Sequence, residues 1–126
     1  MANTFKAFSK ASVGTTATTA YQVELGGVSG KTAIVIGISL ANKAAVPINV
    51  NVQIDRPATG TTAAPSDDVY LAKDIPIPAG STLEVMAGQK LILEYSAGAG
   101  AGDKIVVTSD TASSLDVIVN ALEITS

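Results

Sequence analysis

Ile48-Asn49-Val50-Asn51-Val52-Gln53-Ile54-Asp55 alternates aliphatic and polar side chains without a break, the period of an extended strand with one dry face and one wet face. Just upstream, Ile34, Ile36, Ile38 and Leu40 fall on one face of a second extended segment, with Val35, Gly37, Ser39 and Ala41 on the other. Both faces of that segment need at least partial cover. The link Asn42-Lys43-Ala44-Ala45 is short enough to predict an antiparallel hairpin between the two segments.

Reading outward toward the start, Tyr21, Val23 and Leu25 alternate with Gln22 and Glu24 ahead of Gly26-Gly27, so another half-buried strand ends there. Residues 11–20 are rich in Thr and Ala; the β-branched threonines favour extended chain and supply little core. With Phe5 and Phe8 upstream, residues 1–20 read as an N-terminal arm or edge strand.

Downstream, residues 56–68 carry Pro57, Gly60 and Pro65 and show no periodicity, which predicts a long surface loop. Val69, Leu71 and Ile75 resume a strand, and Ile77-Pro78-Ala79-Gly80 fits a type I turn with proline second and glycine fourth. Strands over 82–86 and 90–95 follow, joined by Ala87-Gly88-Gln89 as a hairpin connection. Residues 96–102 hold no side chain larger than a hydroxymethyl group and should be mobile unless a neighbour holds them. Ile105 and Val107 begin a further strand, 109–114 turn the chain, and 115–124 form the last and longest strand. Val117, Val119 and Ala121 lie on one of its faces and Ile118, Leu122 and Ile124 on the other, so it belongs at the centre of a sheet.

No stretch carries apolar residues at helical spacing, and turn signals recur at short, regular intervals. The expected fold is all-β: a two-sheet antiparallel β-sandwich, jelly-roll or immunoglobulin-like, in a single domain over 1–126. The 126 residues suffice for one core. Hydrophobic residues make up 47% of them and aromatics 4%, so the filling is aliphatic, with Tyr21, Tyr70 and Tyr95 as minor contributors.

Composition also removes function classes. The net charge is −3, and the eight basic residues (Lys6, Lys10, Lys31, Lys43, Arg56, Lys73, Lys90, Lys104) are scattered, which argues against nucleic-acid binding, since that needs clustered cations. Residues 1–6 lack the charged start and apolar core of a secretory signal. The longest apolar stretch, 33–41, is about half of what a membrane-spanning helix needs. Without histidine or cysteine the chain lacks the commonest general base, the thiol nucleophile, disulfides and the best transition-metal ligands.

What remains is thin chemistry. Ser-Lys catalysis needs a desolvated lysine, and each lysine here lies near a strand end or turn. A carboxylate pair of the glycosidase kind has Glu84, Glu94, Asp103, Asp110 and Asp116 as candidates, none singled out and all placed on outward faces or turns. Asp67-Asp68 and Gly102-Asp103 offer oxygen atoms to calcium but match no loop spacing. The Gly-Ala run is followed by a strand and by no Gly-Lys-Ser/Thr, so it is no phosphate loop. Stacking of sugar rings normally uses exposed aromatics, and there is no tryptophan; Tyr21 and Tyr70 read as sheet packing. The expected catalytic, cofactor and metal sites are therefore none.

With the strands placed, the chain resembles the small β-sandwich virion structural proteins of tailed bacteriophages. The resemblance runs from about Phe5 to Ile124. It is carried by the Thr-rich lead to Tyr21, Ile34 to Asn42, Val50-Asn51-Val52-Gln53-Ile54-Asp55, Tyr70-Leu71 and Ile75-Pro76-Ile77-Pro78-Ala79-Gly80-Ser81. It continues in Lys90-Leu91-Ile92-Leu93-Glu94, Gly102-Asp103-Lys104-Ile105, Ser113-Ser114-Leu115-Asp116-Val117 and Leu122-Glu123-Ile124. Two segments depart from the pattern, 56–68 and 95–101; each reads either as a contact surface or as a solvated loop. The resemblance implies a non-enzymatic capsid decoration (cement) protein located in the virion and assembled in the host cytoplasm. Its partners would be the major capsid protein or other virion proteins, with a homo-oligomer, plausibly a trimer, and neither nucleic acid nor membrane. The alternatives are an accessory of the neck, tail or fibre attachment and, more remotely, a glycan-binding module.

Overall fold

The computed structural model describes residues 2–23, 31–56, 69–86, 90–96 and 101–125. Ten strands follow in chain order: β1 (Ala2–Val13), β2 (Thr18–Gln22), β3 (Lys31–Asn42), β4 (Ile48–Asp55), β5 (Val69–Ile77), β6 (Thr82–Glu84), β7 (Leu91–Ser96), β8 (Ala101–Gly102), β9 (Lys104–Ser109) and β10 (Leu115–Thr125). All the pairings are antiparallel. One sheet runs β1-β10-β3-β7-β8, with β6 also on β3; the other runs β2-β9-β4-β5.

The topology has a simple origin. β1 pairs with β10, β2 with β9, β3 with β6 and β7, and β4 with β5, so the pairs nest inside one another around the connection from β4 to β5. A long antiparallel ribbon of that kind, rolled until its rungs fall alternately on two sheets, is a jelly roll. The strand order thus decides between the two sandwich types left open by the sequence, because an immunoglobulin-like domain splits its strands differently.

The core is aliphatic, as the composition demands. From the first sheet come Val35, Ile38, Leu40, Leu93, Leu115, Val117 and Val119; from the second, Ile48, Val50, Val52, Ile54, Ile105 and Val107, all buried. Burial of each such side chain is worth about 1.5–3 kcal/mol. Tyr21 is the buried aromatic among them, its ring 4.5 Å from that of the half-buried Phe8 on β1.

Several local expectations give way to tertiary pairing. β3 and β4 are not a hairpin; they lie in opposite sheets, each flanked on both sides by distant strands. Asn42 makes the crossing: its buried amide donates to the carbonyls of Val46 and Ile77, both at 2.9 Å, and its Oδ1 accepts from Ala44 N–H. The regular alternation over β3 also breaks. Gly37 pairs with Asn120 and Val35 with Ala121, leaving Ile36 as the extra residue of a bulge. Ala33 and Val35 point inward before it with Ile34 and Ile36 outward, and the extra residue lets Ile38 and Leu40 point inward after it.

Segments 82–86 and 90–95 are not hairpin partners either. β6 and β7 run in the same direction along β3 as two halves of one interrupted strand, and Ala87-Gly88-Gln89 lies outside the described residues. Across the interruption the Glu84 carboxylate accepts from Ile38 N–H, Ser39 Oγ and Met86 N–H, filling a gap in the ladder. The tight turn is shifted by one residue: Ser81 N–H donates to Pro78 O at 3.1 Å with Gly80 at φ 70°, a type II turn whose third position needs glycine.

Residues 2–13 are an edge strand and not a free arm, and 18–20 already belong to the second sheet. β10 is central as expected, between β1 and β3, but both of those are longer by one residue. Gly102 is held, not mobile: a Cβ there would collide with the Val23 carbonyl. The segments 57–68 and 97–100 and residue Leu25 fall outside the described residues.

Candidate interaction surfaces

A sheet with one face in solvent normally shows polar side chains there. The first sheet does not. On its outer face Phe5 lies opposite Leu122, Leu122 opposite Ile34, and Ile34 opposite Ile92. The result is an apolar row crossing β1, β10, β3 and β7, whose ends are 75% exposed at Phe5 and 60% at Ile92. Ile36 and Ile118, each about half exposed, extend it. A shallow groove of about 330 Å³ runs between Phe5, Ala7, Ile36 and Asn120. Ile36 keeps the outward parity of Ile34, and the bulge beside it returns Ile38 and Leu40 to the core.

A second set of exposed apolar side chains lies at the free edge of the other sheet, on alternate faces of its edge strand. Val69, Tyr70 and Leu71 open β5 and are exposed, although the sequence reads Val69 and Leu71 as ordinary strand residues. Lys73 covers one face of Tyr70, its Nζ 4.8 Å from the ring centre. The two free long edges differ as well. β5 carries Pro76 and a left-handed Asp74, devices that discourage strand addition. β1 has its left-handed residue, Ser12, and its bulge only past Lys10; from Ala2 to Lys10 it runs in unbroken register with β10 without proline or glycine.

Two carboxylates fasten β1 to the sandwich. Glu123 sits on the inward side of β10 and is only 4% exposed. It accepts from Tyr21 Oη at 2.7 Å and pairs with Lys31 at 3.3 Å and Lys6 at 3.4 Å, thereby tying β1, β2 and β3 together. Burial pushes its pKa up, but the Tyr21 hydroxyl and the two lysines outweigh that and hold it below the usual value. Near the far end of β1, Asp116 accepts from Ser12 N–H at 2.9 Å and pairs with Lys43 at 3.0 Å. Those two contacts, the backbone bond first, lower its pKa.

The five acidic residues picked out by the sequence do not all behave as solvated groups. Glu94 and Asp110 are exposed and Asp116 is partly so, but Asp103 is 1% exposed. Its carboxylate pairs with Arg56 and accepts from Glu94 N–H, while its own N–H donates to Glu94 O and its carbonyl accepts from Val23 N–H. A calcium role for Gly102-Asp103 is thus displaced by a built ion pair. Asp110 accepts from Asn49 N–H, a turn contact. Asp67-Asp68 lies outside the described residues. Glu123 escaped the sequence reading because a single acid in an aliphatic strand carries no periodic mark; its only sign was sharing a parity with Val117, Val119 and Ala121. Of the tyrosines, Tyr21 is core, as expected, whereas Tyr70 is exposed.

No protein-family model matches the chain, and no curated protein does. Among solved structures, a chain from Bacillus endospore appendages, described as a novel family of disulfide-linked pili, is 13% identical with a TM-score of 0.48, over 98% of this chain and 87% of its own. A chain of the T13 IBDV viral particle is 9% identical with a TM-score of 0.51, over 96% of this chain and 30% of its own. The second likeness is one of fold, a β-sandwich in both. No helix among the described residues is long and apolar enough to cross a membrane.

Proposed function

We propose that the chain is a non-enzymatic virion structural protein, and specifically a capsid decoration (cement) protein that bridges neighbouring subunits of a shell. A jelly roll by itself serves many purposes, so the reading rests on surface chemistry. The observation that carries it is the pair of exposed apolar surfaces, the row Phe5–Leu122–Ile34–Ile92 on one sheet and the edge Val69–Tyr70–Leu71 of the other. Surfaces of this kind mark contact sites, and a unit with two of them can hold two neighbours at once. Binding to the assembled shell and not to free subunits then stabilises the shell by mass action. Support also comes from what the acids do: Glu84, Asp103, Asp116 and Glu123 each hold backbone or a cation in place, work that belongs to a scaffold.

Electron microscopy of the particles that carry this chain tests the proposal. Density for the sandwich between shell subunits is expected on the head, and particles stripped of it should open at a lower temperature in calorimetry. Density confined to the neck, tail or fibre attachment would replace the cement reading with the accessory one. Absence from the particle would end both.

A further inference from the structure

The outer face of the first sheet has a symmetry that points to its occupant. Four rows cross it in order: Asn3–Ile124–Thr32–Glu94, the central apolar row Phe5–Leu122–Ile34–Ile92, Ala7–Asn120–Gly37, and Ser9–Ile118–Ser39–Glu84. Within these rows the only charges are Glu94 and Glu84, both at the β6/β7 flank; the β1 flank presents the neutral Asn3 and Ser9.

Resting on the reading of this face as an assembly surface, we infer that it is occupied by a second copy of the chain, stacked face to face about a two-fold axis parallel to the strands and lying between β10 and β3. That operation lays β1 over β7 of the second copy and β10 over its β3. Phe5 then meets Ile92, Leu122 meets Ile34, and the central row packs apolar on apolar along its whole length. Each Glu94 meets Asn3 and each Glu84 meets Ser9, so the acids of one copy face neutral residues of the other. A two-fold axis in the plane but across the strands would instead bring the Glu84 flank toward Glu94 of the other copy, where like charges repel. An isologous contact must be self-complementary. An axis across the strands would also stack the apolar row on itself; the axis along them is favoured because it sets the acidic flank of each copy over the neutral flank of the other.

The footprint sets the strength. Four strands at about 4.8 Å and nine residues at about 3.4 Å give on the order of 500 Å² per copy, below the roughly 800 Å² of a standard interface. The dimer is therefore reversible and concentration-dependent. It leaves the Val69–Tyr70–Leu71 edge free for a different neighbour.

Thiol cross-linking tests the geometry, because the chain has no cysteine of its own. A short bifunctional maleimide should join Phe5→Cys to Ile92→Cys in a mixture of the two variants, across the roughly 10 Å between stacked sheets. Phe5→Cys alone should give little product, since its two copies lie about 17 Å apart, three strand spacings combined with the sheet gap. Both side chains are exposed, so folding is preserved, which circular dichroism confirms. Heterodimer product at least several-fold above either single variant supports the inference. Equal yields in all mixtures, or Phe5→Cys linking to itself most readily, overturns it. If the free chain shows no cross-link yet still binds shells through Leu71, the second-copy inference fails while the proposed function survives.

Discussion

The two sheets share one core but present opposite outer faces. On the second sheet, Asn51 lies beside Thr108, Asp55 beside Lys104, and Gln53 beside Val106, a surface mostly at home in water. On the first sheet the corresponding positions hold Phe5, Leu122, Ile34 and Ile92. The same alternation operates in both, so the difference lies in what the outward residues are for. Where polar side chains face out, the surface needs no partner; where aliphatic ones do, the proposed assembly gives the strand a cover on its outer side as well.

Inner positions should dominate stability and outer ones association, and substitutions can break that division. The largest effect is expected inside: Leu40→Ala, at a fully buried site, should cost about 2–5 kcal/mol in urea unfolding. A loss under about 1 kcal/mol would mean the sandwich packs loosely there. Next comes Gly102→Ala, which forces a Cβ into the Val23 carbonyl; the expected cost is about 1–3 kcal/mol, read as a lower denaturation midpoint.

Tyr21→Phe removes the donor to Glu123 and leaves a buried carboxylate short of a hydrogen bond, at about 1.5–3 kcal/mol. By raising the Glu123 pKa back toward its unfolded value it should also shrink the share of the stability that acid removes. Glu123 and Asp116 both have lowered pKa values. Their contribution is thus fully present above the ordinary carboxylate range and disappears as pH falls through the folded values. Because both groups fasten β1, amide exchange in β1 should accelerate first on acidification, and the acceleration should be smaller in Tyr21→Phe, whose β1 starts less protected at neutral pH. Uniform loss of protection across both sheets would refute this. The smallest stability effects belong outside: Ile92→Lys and Gln53→Lys should each lie within about 0.5 kcal/mol of wild type.

The same contrast governs what could be read from the chain alone. The alternation of 48–55 is legible because its wet face stays wet. Residues 34–41 and 115–124 read as apolar on both sides, which identifies central strands but conceals the Ile36 bulge and the exposed Ile118. Pairing partners were the hardest to see, since local links such as 42–45 favour hairpins, whereas β3 and β4 gain more from β10 and β9 far along the sequence. The contact surfaces were invisible for a related reason: Phe5, Leu122, Ile34 and Ile92 are adjacent only after three separate registers are set.

Sedimentation equilibrium over a wide concentration range, with wild type, Ile92→Lys and Gln53→Lys side by side, reaches the central claim most directly. Wild type and Gln53→Lys should associate reversibly to dimers while Ile92→Lys stays monomeric at every concentration. Three monomers, or an equal loss in both variants, would contradict the account.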